Sequence, residues 1–420
     1  MNILKNLLKD NSMLKKIFIT LAFFLITYAN LKTQSKVIVK PGIDVLRDSS
    51  FSILTGKKIA LLTNISGKAS NGELTLDILL RSDKFKLTVI FTPEHGFYAN
   101  VKAGMKVENS RINDIPVISL YGNNRRPTKT QLDSCDAIVV DLQDVGIRSY
   151  TFISTLYKTM DAAEEYKKEI IILDRPNPIG GLIVDGNTLD SGMQSFVGII
   201  PVSYIHGCTI GELARMINGE GWLPKRNAEN VKCRLTIVKM QSWKRYMNWE
   251  DTGLSWTPTS PNILTPDAVR GAAMFGVLGE LGMLYLGINT DCAFTCLGAS
   301  KKTIESLRTE LGSLSFPGIV LEPIDEGCCK GLKLTFHNDS NFKPYSSGFL
   351  IALKLKKLNP SLFNYKNIKP DSKLMFEKVT GSKKIFEAFS VNFDEMETIK
   401  LIDKNLYEFI DIRKKYLLYD

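Results

Sequence analysis

Leu87-Thr88-Val89-Ile90-Phe91-Thr92-Pro93-Glu94-His95-Gly96 carries an apolar run straight into a charged turn. Leu87 to Phe91 has the length and side chains of a buried strand. Pro93 cannot continue a hydrogen-bonded ladder, and Gly96 lets the backbone turn. A carboxylate, Glu94, and an imidazole, His95, therefore stand together on a loop at a strand's C-terminal end. In an open α/β sheet that edge is where ligands bind.

The same pattern repeats on either side. Lys57 to Leu62 reads as a strand ending at Thr63-Asn64, and Leu74 to Leu80 as a helix. Pro116 to Leu120 is a further strand, and Ala137-Ile138-Val139-Val140-Asp141 is another with an acid at its end. Thr151 to Lys167 has helical spacing at Phe152, Leu156, Met160 and Ala163, and Glu169 to Leu173 is a strand running into Asp174. Alternating strands and helices predict an α/β fold, a Rossmann-like doubly wound parallel sheet. Asn64, Glu94, Asp141 and Asp174 then share one edge of it. A single polar residue there reads as a helix cap, but one at every strand end reads as a binding crevice.

With 420 residues the chain exceeds one small core, and 44% hydrophobic against 23% charged residues places it among globular proteins. The Trp-, Ser- and Pro-rich stretch Asp251 to Asp267 reads as an ordered boundary loop. It divides a Rossmann-like domain, residues 36–265, from a smaller α+β C-terminal domain, residues 266–420. Residues 1–30 read as a signal peptide: Lys15 and Lys16 precede the apolar run Ile17 to Tyr28. That run is short for a bilayer span, which takes about 20 residues. Export to the periplasm or the extracellular space is expected, with an uncleaved anchor as the alternative.

Net charge is +10, but the lysines are scattered, as at Lys354, Lys366 and Lys383, rather than blocked as in a nucleic-acid footprint. No nucleic-acid partner is expected: the charge reads first as a solvated basic surface, with a polyanionic cell wall as a second explanation. No G-x-G-x-x-G follows the first strand, where Asn64-Ile65-Ser66-Gly67-Lys68 stands, and there is no Walker A motif, so no nucleotide cofactor is expected. Three histidines, His95, His206 and His337, make a metal site a poor reading. The seven cysteines lack zinc-cluster spacing. Vicinal Cys328-Cys329 seldom bridge, so buried free thiols are expected.

Two clusters carry chemistry. Glu94 suits the general acid of glycosidic cleavage if burial or a second carboxylate raises its pKa, and the competing reading is a surface ion pair. Asp141 to Tyr150 offers Asp141, Asp144, Arg148 and Tyr150 within ten residues. Arg148 suits a bidentate clamp on a substrate carboxylate, against an Asp–Arg pair that holds the loop. Further along, His206 precedes a capping box, Thr209-Ile210-Gly211-Glu212.

These residues, in order, resemble the exo-β-N-acetylmuramidase family of peptidoglycan hexosaminidases, long catalogued as a domain of unknown function. The likeness runs through Gly42 to Leu46, Leu61 to Asn64, Pro93 to Phe97, Ser119 to Gly122 and Arg126 to Thr128. It continues through Asp141 to Gly146, Tyr150 to Thr155, Leu173 to Pro178, His206 to Glu212, Pro258 to Asn262 and Arg413 to Tyr419. It implies release of N-acetylmuramic acid from the non-reducing end of peptidoglycan fragments, in a cleft between the two domains. By position, Glu94 is then the catalytic acid with His95 and Asp141 beside it. Asn64, Arg126, Asp144, Arg148, Tyr150, Asp174, Arg175, Asn177, His206 and Asn262 line the cleft. Arg148 or Arg126 is expected to bind the lactyl carboxylate of the sugar. The chain departs from the family at Leu284 to Cys296, where Leu286 and Thr295 stand near positions at which acids are common. The alternative reading is therefore a catalytically weakened carbohydrate-binding protein on the same fold.

Overall fold

The strands alternate their side chains between two apolar layers, and this builds the architecture. In the computed structural model, which describes residues 38–226, 229–298 and 316–420, β1 (Lys58–Thr63), β2 (Lys86–Thr92), β3 (Ser110–Ile112), β4 (Ile115–Ser119), β5 (Ala137–Asp141), β6 (Glu169–Leu173) and β7 (Arg234–Val238) form one sheet. Its order is β3-β4-β2-β1-β5-β6-β7. Every pairing is parallel except β3 with β4. Ala60, Leu62, Val89, Phe91, Ile138 and Val140 point into one core. Their sequence neighbours Ile59, Leu61, Ile90, Ala137 and Val139 point into the other. Continuous apolar strands buried on both faces are the mark of a sheet with helices on each side.

The helices supply those layers. α1 (Gly42–Asp48) and α2 (Thr75–Leu80) cover one face; α3 (Lys129–Leu132), α4 (Phe152–Glu165) and α5 (Ile210–Gly219) belong to the other. Thr209 and Glu212 form the expected capping box at the start of α5. The expected signal peptide lies outside the described residues. Among those described, no helix is long and apolar enough to cross a membrane.

The C-terminal part begins with α6 (Pro266–Gly279) and a three-stranded antiparallel sheet of β8 (Cys296–Gly298), β9 (Ile319–Glu326) and β10 (Cys329–Phe336), in the order β8-β10-β9. α7 (Pro344–Leu358), α8 (Pro370–Thr380), α9 (Lys383–Phe386), α10 (Glu395–Ile402) and α11 (Leu406–Lys414) complete it. Val145, Ile147, Ile183 and Ile205 of the first part pack in one core with α6, α7 and α8.

The cysteines correct the sequence expectation. Cys292 bridges Cys328, and Cys296 bridges Cys329. Only Cys135, Cys208 and Cys233 are the buried free thiols. The vicinal pair does not bridge itself: its members reach Cys292 and Cys296, which lie four residues apart, the latter at the start of β8.

Candidate active site

Pro93 to Gly96 closes a tight turn after β2: the Gly96 N–H donates to the Pro93 carbonyl at 3.2 Å. His95 takes the third position with φ +72°, a left-handed conformation uncommon for a residue with a side chain. Such strain concentrates at functional sites. The carbonyl of Val101 can only accept, so the His95 Nδ1–H donates to it, at 2.7 Å, which fixes the ring.

Glu94 is buried yet borders a cavity of about 540 Å³. That volume lies in the range of small-ligand sites, about 300–1,000 Å³. The Gly104 N–H donates to Glu94 Oε1 at 3.0 Å, and the Thr151 hydroxyl donates to Oε2 at 2.7 Å. Thr151 occupies the N-cap position of α4 but makes no capping bond, because its hydroxyl serves Glu94 instead. The Tyr121 hydroxyl also lies against Glu94. Desolvation first, and then the glutamate's charge and hydrogen bond, push the Tyr121 pKa up to about 12.

Around Glu94 the cavity gathers residues from both parts of the chain. Tyr150 donates its hydroxyl to Thr259 Oγ1 at 2.7 Å, and burial raises its pKa. Asn262 accepts from the Asn289 N–H at 2.7 Å. Arg125 stacks 4.3 Å over the Phe196 ring centroid, and Lys378 enters from α8. Among the described residues neither cation has an ion-pair partner. A second carboxylate, Glu280, follows the end of α6.

Of the residues the sequence nominates, Glu94, His95, Tyr150 and Asn262 line this cavity. The others are drawn elsewhere. Asp141 is buried and held by Arg175, whose Nε donates to Oδ1 at 2.6 Å, and by the Thr75 hydroxyl. Arg175 also bonds the Lys68 carbonyl and borders a separate space of about 100 Å³. Asn64 is buried and accepts from the Ser66 N–H and hydroxyl. Asp144 accepts from the Gly146 N–H and lies 3.4 Å from His206 Nε2, while Asn177 donates to the Cys208 carbonyl. Asp174 accepts from Thr209, Gly211, Arg175 and Tyr419, and thereby ties α5 to the chain terminus.

The two arginines expected to meet a substrate carboxylate do not line the cavity. Arg126 is engaged by Asp161 and Glu165. Arg148 is fully buried and donates to four carbonyls, those of Asn187, Val202, Val379 and Thr380. Its Nη1 and Nη2 donors are spent on backbone, so it ties the two parts together.

Sequence reasoning passed over Tyr121, Arg125, Thr151, Lys378 and Glu280. Tyr121 and Arg125 stood in the polar loop after β4, and Thr151 followed the nominated Tyr150. Glu280 had one signal: an acid closing an apolar, glycine-rich helix.

The frame is Rossmann-like, and the chain belongs to the exo-β-N-acetylmuramidase NamZ family, a glycosidase class. Residues 59–267 match the family's N-terminal domain and residues 274–419 its C-terminal domain. Peptidoglycan beta-N-acetylmuramidase NamZ of Bacillus subtilis (strain 168) is 33% identical over 400 residues, covering 92% of this chain and 93% of that protein. A DUF1343 family protein from Bacteroides fragilis NCTC 9343, known from its crystal structure, superposes with a TM-score of 0.83 at 35% identity, over 92% of this chain and 100% of that one. A second DUF1343 protein of that organism gives a TM-score of 0.66 at 27% identity, over 91% and 99%.

Proposed function

We propose that this protein is an exported glycosidase that releases N-acetylmuramic acid from the non-reducing end of peptidoglycan fragments, with Glu94 as the general acid. One observation carries the reading: a buried carboxylate, fixed by Gly104 and Thr151, borders a cavity large enough for a sugar. The hydroxyls of Thr151 and Tyr121 can each donate or accept, so they hold Glu94 in place both before and after it delivers its proton to the glycosidic oxygen. The lactyl carboxylate of the sugar faces Arg125 and Lys378, the cavity cations without an ion-pair partner among the described residues. Two disulfides suit an oxidising compartment and hence export.

The test is release of free sugar from a chromogenic β-N-acetylmuramic acid glycoside. Wild type turns over, and Glu94→Gln loses about 100-fold or more, the range of general acid catalysis. Binding of the sugar by wild type without turnover would instead make this a carbohydrate-binding protein.

A further inference from the structure

Cleavage of a glycosidic bond by this route needs a second group, to take a proton from water or to attack the sugar itself. We propose that Glu280 is that group: it is the general base that activates the attacking water. The proposal rests on the function proposed above and adds the partner of Glu94.

Ala272, Gly276 and Glu280 follow one another at intervals of four and all border the cavity, so one stripe along α6 faces it. The first two are small and leave room; a Cβ on Gly276 would meet only the Tyr204 hydroxyl, at 3.8 Å. The stripe ends in a carboxylate. Among the described residues that carboxylate has no hydrogen-bond donor and no cation partner, unlike Glu94, whose oxygens are both engaged. Its lone pairs are therefore free to accept from a water.

Its surroundings make it a strong base. A carboxylate at a helix C-terminus meets the negative end of the dipole. Burial raises its pKa as well. Tyr204, whose pKa burial raises first, also feels the Glu280 charge in the same direction. The other charged or titratable groups of the cavity are Lys378 on α8, and His95, Arg125, Tyr121, Tyr150 and Glu94. The loop from Ser149 to Thr151 runs between the two acids: the Ser149 hydroxyl is 3.2 Å from that of Tyr204, and Thr151 bonds Glu94.

In the step itself the water oxygen bonds to the anomeric carbon, and one water proton passes to the Glu280 carboxylate. The glycosidic carbon–oxygen bond breaks, and the proton of Glu94 goes to the departing oxygen. Glu280 then returns its proton to solvent and Glu94 is reprotonated. One displacement by water inverts the anomeric configuration.

The experiment uses the full chain and the chromogenic muramic acid glycoside. Glu280→Gln is expected to lose about 100-fold or more in kcat, and with it the acidic limb of the pH profile. Glu280→Ala is expected to regain turnover with sodium azide, a nucleophile that needs no base, giving a glycosyl azide; a merely structural role would not be rescued. The first sugar product, read by NMR, is the α anomer. A Glu280→Gln enzyme within fivefold of wild type, loss of the alkaline limb in place of the acidic one, or a β product would each overturn the assignment while leaving the muramidase reading intact. A wild type that releases no sugar would overturn both.

Discussion

Arg148 Nη2 donates to the carbonyl of Thr380 at 2.7 Å, joining residues 232 positions apart. The same guanidinium holds the Asn187 and Val202 carbonyls of the first part. Five N–H donors in a rigid fork let one arginine serve four carbonyls, which an ammonium on a flexible stem does not match. The tie fixes the end of α8, where Lys378 and Val379 enter the cavity. Burial without a carboxylate partner lowers the Arg148 pKa to about 10.

Arg148→Lys is therefore expected to leave at least one buried carbonyl unpaired. The cost is about 1–3 kcal/mol of stability for each such group, measured by urea unfolding. Because α8 loosens, KM should rise more than kcat falls. A variant as stable as wild type with kcat alone reduced would place Arg148 in the chemistry instead.

The strands were legible because their side chains obey a strict alternation between two apolar layers, as Ile59 and Ala60 do. β7 was not: as an edge strand its residues are exposed or only partly buried, so it lacks the apolar run that marked β5. The turn at Glu94 was legible because proline and glycine frame it. Asp141 misled for a physical reason. The strand order reverses between β1 and β5, the crevice where a ligand is expected, but there Asp141 and Arg175 neutralise one another and the space beside Arg175 is only about 100 Å³. The cavity lies beside it, beyond β2, β4 and β5, at Glu94, Tyr121 and Thr151. Which of two adjacent arginines faced it depended on a loop without periodicity. Asp161 and Glu165, one turn apart on α4, claim Arg126 and leave Arg125 to the cavity.

That division gives a specificity prediction. Arg125, stacked on Phe196 with no carboxylate partner among the described residues, is free to grip an anionic substituent. A charge-assisted hydrogen bond contributes about 1.5–3 kcal/mol, so Arg125→Ala should cut kcat/KM on the muramic acid glycoside about 10- to 100-fold. It should leave the corresponding glucosamine glycoside, which lacks the carboxylate, nearly unchanged. Arg126→Ala should alter neither ratio. Equal losses on both glycosides would refute a carboxylate contact at Arg125.

Asp174 carries a pH prediction. Burial, and then the nearby Glu212, raise its pKa from 3.8 to about 6 despite hydrogen bonds that act the other way. The folded protein thus keeps this proton over a range in which the unfolded chain gives it up. The associated stability is complete below pH 3.8 and is lost as the pH rises to about 6. At 1.36 kcal/mol per unit the loss amounts to about 3 kcal/mol. Asp185 is raised in the same direction, so the measurement is the difference in unfolding free energy between wild type and Asp174→Asn. Across this window the difference should move in favour of the asparagine variant and then level off. A difference independent of pH would mean that the Asp174 pKa is the same folded and unfolded.

The segment from Leu284 to Cys296 is where the disulfides act. Leu286 is buried in the core, and Cys292 and Cys296 anchor the loop to Cys328 and Cys329. Phe294 lines the cavity, and its carbonyl presses on Gly271, where a Cβ would lie 1.7 Å away. The Asn289 N–H holds Asn262 at the cavity. The staples therefore stabilise the fold and position two cavity residues. The protein unfolded without reductant should show three reactive thiols, those of Cys135, Cys208 and Cys233, against seven with it. Replacing Cys292 and Cys328 together by serine should cost about 2–4 kcal/mol and raise KM, because Asn289 no longer fixes Asn262. Seven reactive thiols before reduction would exclude the staples. A double variant with unchanged KM would confine the first of them to stability.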